Sequence, residues 1–409
     1  MKRLVLFILL YSAALLSFAQ ISFTTIYGKL EDAKTGEKIA FATITVPGTG
    51  IGTVSNSDGE FILKIGSDVK ADIFEISHLS YATAQFNIKE AEGKDNIFRL
   101  VIKPVQLKEI PVIPQDARAL VESAFHNVRS NYSEVPNMMT GFYREYVMQR
   151  RDYLSISEAV IDIYKAPYFG IQEDQVKIFK GRKATNVKKA DTLLVKMQGG
   201  PKVLMLLDIV KQPDLSIAMD DLDHYVFDFG SVVNIDDKQQ WVVNFSPNPA
   251  AEGGPYYIGR LYISQDNKAI TRAEFSLDLS DMMKASEMYV NKKPSGLIFS
   301  PTSTSYLVTY KQQREKYYLS YVRVDIKFRC DWKKKLFKNN YSIMSEVAIT
   351  GRSENSVVKF GSDETFKSNM FFAEKVEDFT DEDFWGENNI IQPEESIENA
   401  VKKLSKTMK

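Results

Sequence analysis

Residues 50–65 read GIGTVSNSDGEFILKI. Gly52–Ser55 and Glu60–Ile65 are short runs rich in β-forming residues, and Ser57-Asp58-Gly59 lies between them. Glycine takes positive φ without steric penalty and aspartate tolerates it, so Asp58-Gly59 predicts a hairpin joining two short strands. Similar segments flank the stretch on both sides. Phe23–Leu30 and Ile39–Val46 precede it; Ala71–Ser77, Thr83–Ile88 and Ile97–Ile102 follow, separated by turn clusters such as Lys34-Thr35-Gly36. Short strands at this spacing predict a β-sandwich over residues 20–102.

Two patterns within it are specific. Gly28 to Ala42 fits G-x-L-x-D-x-x-T-G-E-x-I-x-F-A, and Gly52 to Phe61 fits G-T-x-S-N-x-D-G-E-F. On these residues the segment resembles the carboxypeptidase-like regulatory domain, a transthyretin-like Greek-key sandwich. The resemblance implies an interaction module and no chemistry. In Bacteroidota such modules front many secreted and outer-membrane proteins, so it also implies an envelope protein of that kind.

Residues 103–115, KPVQLKEIPVIPQ, read as a linker whose three prolines favour an extended path. A β-rich domain over 116–392 follows. Its leading helix carries Ala117, Leu120, Val121, Ala124, Phe125 and Val128 at helical spacing, with Asp116 placed to cap it. Hairpins come next, around Arg150-Arg151-Asp152, Asp236-Asp237-Lys238, Gln265-Asp266-Asn267 and Gln312-Gln313-Arg314. In Tyr317–Asp331, Val322, Val324, Ile326, Phe328 and Cys330 share one face; Arg323, Asp325, Lys327, Arg329 and Asp331 share the other. Period two predicts one buried and one wet face. Residues 393–409 read as a polar helix started by Pro393, with Ile397, Val401 and Leu404 as a thin apolar stripe. The expected fold class is mainly β: a sandwich, then a large curved antiparallel sheet with a few helices on one side, half-barrel-like. The stretch 259–281, GRLYISQDNKAITRAEFSLDLSD, resembles periplasmic lipoprotein carriers in architecture. The stretch 140–168, TGFYREYVMQRRDYLSISEAVIDIYKAPY, resembles a domain of unknown function that follows the regulatory-like module elsewhere.

Residues 1–19 read as a signal peptide: Lys2 and Arg3, an apolar run from Leu4 to Leu16, then Ser17-Phe18-Ala19 as a cleavage site before Gln20. The run is shorter than the about 20 residues a membrane span needs. No cysteine follows it, so lipid anchoring is not expected. The expected localisation is the periplasm or the periphery of the outer membrane. Without Lys2 and Arg3 the chain has 50 basic and 53 acidic residues, a net charge of −3, which argues against a nucleic-acid partner. The single cysteine, Cys330, excludes an internal disulfide.

Catalytic patterns are missing from the sequence. A zinc peptidase needs clustered His and Glu ligands. The histidines continue as His78-Leu-Ser-Tyr, His126-Asn-Val-Arg and His224-Tyr-Val-Phe, none with Glu three residues on. An EF-hand reading of NSDGE fails, because Val54 and Ile65 stand where acidic ligands belong. Cys330 falls on the apolar face of its strand and reads as core. The acidic run Asp220-Asp221-Asp223 beside His224 reads as a solvated turn. No metal, cofactor or catalytic residue is assigned, and metallocarboxypeptidase activity is rejected.

The stretch 200–213, GPKVLMLLDIVKQP, is apolar from Val203 to Val210 apart from Asp208. It predicts a buried helix, or the wall of a cavity for a hydrophobic ligand. The leading expectation is a non-catalytic envelope protein whose sandwich docks an envelope protein or a glycan. The alternative is a periplasmic carrier of a lipid or lipoprotein, with Val203–Val210 lining its pocket. An enzyme with an unrecognised site is the weakest reading.

Overall fold

The computed structural model describes residues 23–104, 116–185, 200–211, 219–251, 253–287, 289, 296–332, 339–378 and 384–407. The expected signal peptide, 1–19, and most of the linker lie outside them.

Seven strands form the N-terminal unit: β1 (Phe23–Asp32), β2 (Thr43–Thr45), β3 (Gly52–Val54), β4 (Glu60–Gly66), β5 (Ile73–Ser77), β6 (Ala84–Asn87) and β7 (Asp95–Leu100). One sheet has the order β4-β1-β7, with β7 parallel to β1; the other runs β3-β2-β5-β6. Their inner faces close on Ile26, Leu30, Ile44, Phe61, Phe74, Ile76 and Phe98. The predicted hairpin at Asp58-Gly59 is corrected here. β3 and β4 belong to different sheets, so the turn is a corner between layers. Asn56 builds it: its amide oxygen accepts from the backbone N–H of Asp58 (2.9 Å) and Glu60 (2.8 Å). Gly59 has φ +77°, and a Cβ there would lie 2.8 Å from the Leu30 carbonyl oxygen. Gly28 lies opposite Phe61, where a Cβ would strike the Phe61 ring at 2.3 Å. The spacing of the two patterns thus has a steric basis. Asp32 supplies another part of it: its carboxylate accepts from the backbone N–H groups of Thr35 and Lys34, which hold its pKa below the usual range.

The second unit is a sheet of twelve strands: β8 (Asn137–Gln149), β9 (Asp152–Lys165), β10 (Gln175–Thr185), β11 (Tyr225–Phe229), β12 (Val233–Ile235), β13 (Lys238–Pro247), β14 (Tyr257–Ser264), β15 (Ile270–Leu277), β16 (Leu297–Gln313), β17 (Lys316–Trp332), β18 (Asn339–Ser353) and β19 (Glu377–Asp378). Eleven follow the order β11-β13-β14-β15-β16-β17-β18-β8-β9-β10-β19, and β12 pairs with β13. All pairs are antiparallel except β10–β19. The sheet does not close into a barrel. Helix α1 (Ala117–His126) packs Leu120, Val121 and Ala124 into the core on its inner face. Asp116 caps it, accepting from Arg118 N–H at 2.9 Å. Helix α2 (Pro201–Leu206) lies against β10, β17 and β18.

The outer face departs from expectation twice. Helices were expected on one side only, yet α3 (Glu395–Thr407) covers the outer face at β9 and β10, burying Ile397 and Leu404 against Ile156 and Ala184. The face expected to be wet is covered too. Val54 of the sandwich, Trp385, Ile390 and Ile391 pack there on Phe142, Val160, Tyr321 and Ala348. Residues 386–392 strap the two units together. Thr53 donates to the Ile390 carbonyl (3.0 Å), Asn56 to that of Gln392 (3.1 Å), and the Asn389 side chain pairs with both backbone groups of Lys64. At the seam's centre is Arg144, 1 % exposed. It bonds Glu158 at 2.8 Å, Glu346 at 3.4 Å and the Ile391 carbonyl at 2.8 Å. Arg182 completes Glu158; Arg323 and Tyr321 complete Glu346. Arg144, Glu158 and Glu346 are therefore tolerated as buried charges because they are paired.

Candidate interaction surface

The way the sandwich is seated decides which of its surfaces remain available. The back of the β3-β2-β5-β6 sheet turns to the large sheet. Val54 enters the seam cluster, and Lys311 donates to Ser77 (3.1 Å). The loop from Val46 to Ile51 follows the same route: a Cβ on Gly50 would lie 2.3 Å from the Arg352 carbonyl oxygen. Gly50 thus permits close approach between the two backbones. Ser80 N–H donates to the Asn234 carbonyl (2.9 Å), and Lys103 pairs with Asp237 (2.6 Å), which fixes the far corner.

The back of the β4-β1-β7 sheet faces away. Strand alternation sends Ile26, Leu30, Phe98 and Leu100 inward and Phe23, Tyr27 and Ile97 outward. Tyr27 is 43 % exposed, Ile97 53 % and Phe23 37 %; just beyond β7, Val101 is 63 % and Ile102 52 % exposed. Tyr27 pairs across the ladder with half-buried Ile62. Charged residues border the strip: Arg99 pairs with Glu31 at 3.7 Å, and Lys64 sits 5.3 Å from the Phe23 ring centroid. An apolar centre with a charged rim is the anatomy of a protein interface.

Residues 26–112 match the model of the CarboxypepD_reg-like domain. The match covers the regulatory-like sandwich and a minority of the 409 residues. No curated protein matches the chain. Among solved structures, the chain is similar to an outer membrane lipoprotein-sorting protein domain from Vibrio parahaemolyticus at 8 % identity. That alignment covers 59 % of this chain and 93 % of the other, with a TM-score of 0.24. A LolA superfamily protein from Nitrosomonas europaea shares 10 % identity over 63 % of this chain and 100 % of its own, TM-score 0.22. The MucA/MucB complex of Pseudomonas aeruginosa shares 10 % identity over 56 % of this chain and 93 % of the matched chain, TM-score 0.19. Superpositions this loose carry no argument about ligand or mechanism.

The residues weighed for chemistry stay apart. His78 follows β5 and lies in the seam, where burial, then the charge of Arg272, pushes its pKa down to about 4; among the described residues its Nδ1 has no hydrogen-bond partner. His126 is exposed at the end of α1, with Nδ1 2.8 Å from the Glu122 carbonyl. His224 closes the 3-10 helix Met219–His224, with its ring 5.4 Å from that of Tyr256. The acidic run beside it is therefore helical, and Asp223 is paired with Arg118 at 2.6 Å. Among the described residues, no three His, Cys, Asp or Glu side chains gather as a metal would need. Cys330 lies in the main core, and burial pushes its thiol up to about 11. A thiol so placed stays protonated and unreactive.

The stretch 200–213 gives a helix of only six residues, Pro201–Leu206. Leu204, Met205, Ile209 and Val210 enter the main core. The sequence concealed an ion network here. Lys165, fully buried, bonds Asp174 and Asp208 at 2.6 Å each, and Tyr310 donates to Asp208 at 2.7 Å. Lys202 reaches the Asp174 carbonyl at 2.6 Å. Asp208, just past the end of the helix, and Lys202, in its first turn, are thus both held by buried polar partners. Open clefts of about 390, 400 and 630 Å³ lie elsewhere on the described surface, lined mainly by polar and charged residues; Val203–Val210 line none of them.

Proposed function

We propose that the chain is a non-catalytic protein of the bacterial envelope, exported by the signal peptide at residues 1–19. Its regulatory-like sandwich docks a partner protein through the back of the β4-β1-β7 sheet. The observation that carries this reading is the asymmetry of the sandwich. One of its backs is consumed by the seam, and the other exposes Phe23, Tyr27 and Ile97 on neighbouring strands, with Val101 exposed just beyond them. Burying such a strip against a partner gains about 25 cal/mol per Å² of apolar surface. The large sheet then acts as a rigid base that presents the strip. The test is co-purification from the native envelope of the parent chain and a Tyr27→Asp/Ile97→Asp variant. The partner should be retained by the parent and lost by the variant, while both keep the same thermal midpoint. Equal retention by both excludes this face.

The second reading, a carrier of a hydrophobic ligand, draws on the inner face of the large sheet. There a single apolar cluster spans α1, α2 and the strands, and Val203, Leu206 and Leu207 remain only partly buried beside it. Small-molecule mass spectrometry of gently purified protein tests it. A stoichiometric lipid supports the carrier, and an empty protein rules out stable carriage.

A further inference from the structure

The end of the large sheet farthest from the Gln312–Arg314 turn carries a groove of about 630 Å³. Four cations, Arg150, Arg151, Lys327 and Arg329, line it, and no acidic residue does. Their placement follows from strand register. Lys327 and Arg329 lie two apart on β17, so they share the outer face. They pair across the ladder with Ser342 and Asn340 of β18. The β8–β9 turn brings in the arginines: Arg150 has φ +58°, and its N–H donates to the Asn340 carbonyl at 3.0 Å. On the other flank a bulge in β16 between Pro301 and Ser303 leaves Thr302 exposed toward the groove.

Compensation distinguishes this group from the other cations of the outer face. Arg144, Arg182 and Arg323 each meet a glutamate. Among the described residues Arg329 has a partner in Asp331 (2.9 Å), whereas Arg150, Arg151 and Lys327 form no ion pair. The chain as a whole is nearly neutral, so this is a local concentration of positive charge. Like charges held together repel, and an anion with several acceptor oxygens relieves that repulsion. Guanidinium forks match tetrahedral oxyanions in two-point contacts, and the hydroxyls of Thr302 and Ser342 and the Asn340 amide add neutral donors.

We propose that this groove binds a phosphate group, held by Arg150, Arg151 and Lys327. The site is separate from the apolar strip of the sandwich and does not depend on its role. Calorimetric titration of the full chain with inorganic phosphate, at low ionic strength, is the first arm. Flotation with phosphatidylcholine vesicles, with and without phosphatidylglycerol, is the second. Each is repeated with an Arg151→Gln/Lys327→Gln variant. Both positions are exposed, so its thermal midpoint should match the parent's. Binding of inorganic phosphate, weakened at least about tenfold in the variant, supports a soluble phosphate. Binding only to vesicles with phosphatidylglycerol, lost in the variant, supports a lipid headgroup as the source. No binding to either probe, equal binding of acetate, or binding unchanged in the variant overturns the assignment.

Discussion

Replacing Arg144 with methionine probes the seam between the two units. Arg144 contacts three acceptors from different parts of the chain: Glu158 on β9, Glu346 on β18 and the carbonyl of Ile391 in the strap. Methionine fills much of the space but leaves the two carboxylates short of a partner at a site with almost no water. Breaking a buried ion pair by removing one member costs about 3–5 kcal/mol. Arg182 and Arg323 still reach Glu158 and Glu346, which sets the expectation at the lower end, about 3 kcal/mol. The assay is urea unfolding of parent and variant. Its pH dependence separates charge from packing. Burial pushes the Glu158 pKa up, but the pull of Arg144 and Arg182 outweighs it and holds the group below its ordinary value. A depressed carboxyl contributes stability above its unfolded pKa and loses it as pH falls. In the variant Glu158 keeps only Arg182 against the same burial, so its pKa moves up and less stability is lost as pH falls. The gap between parent and variant should therefore be widest near neutrality and narrow toward about pH 5. The triple variant Arg144→Met/Glu158→Gln/Glu346→Gln should recover much of the loss. A loss below about 1 kcal/mol, or a gap constant with pH, would refute the view that charge pairing holds the seam.

Three further outcomes are expected. His78 has a folded pKa of about 4 against 6.5 unfolded, so the unfolded state binds more protons between those values. Stability should rise with pH across that window by up to about 3 kcal/mol, and His78→Gln should flatten the rise in urea titrations at stepped pH. Gly50→Ala places a Cβ 2.3 Å from the Arg352 carbonyl oxygen and should cost about 1–3 kcal/mol by thermal denaturation. If the carrier reading holds, Leu206→Asp should abolish lipid retention measured by mass spectrometry without lowering the thermal midpoint, since Leu206 is only partly buried.

The sandwich was legible because most of its strands alternate: each of the seven expected segments overlaps an observed strand. What Asp58-Gly59 could not disclose was which sheet the next strand joins. That is settled at long range, by Phe61 covering Gly28. Polarity was likewise readable and exposure was not. Arg323 looks like a solvent residue in its strand, yet it pairs with Glu346 and lies 4.7 Å from the Phe41 ring centroid. Trp385 sits in an acidic stretch whose sequence gives no sign of burial, and it anchors the seam edge-on against Phe142 at 5.3 Å. Strand β10 went unread because a strand rich in lysine has little apolar alternation. The candidate surface was hidden for a different reason. In NIFRLVI, Ile97 and Val101 are as apolar as Phe98 and Leu100, so the sequence marks both faces as core. Only the seating of the sandwich shows which face is left over.

The most direct test of the docking role is photo-crosslinking in the living envelope. A photoreactive residue is placed at Ile97 in one strain and at exposed Lys89, outside the strip, in another. A discrete adduct to one protein from Ile97, and none from Lys89, is the expected result. Adducts from Lys89 alone, or none from Ile97 in a strain that produces the folded chain, would contradict docking through this face.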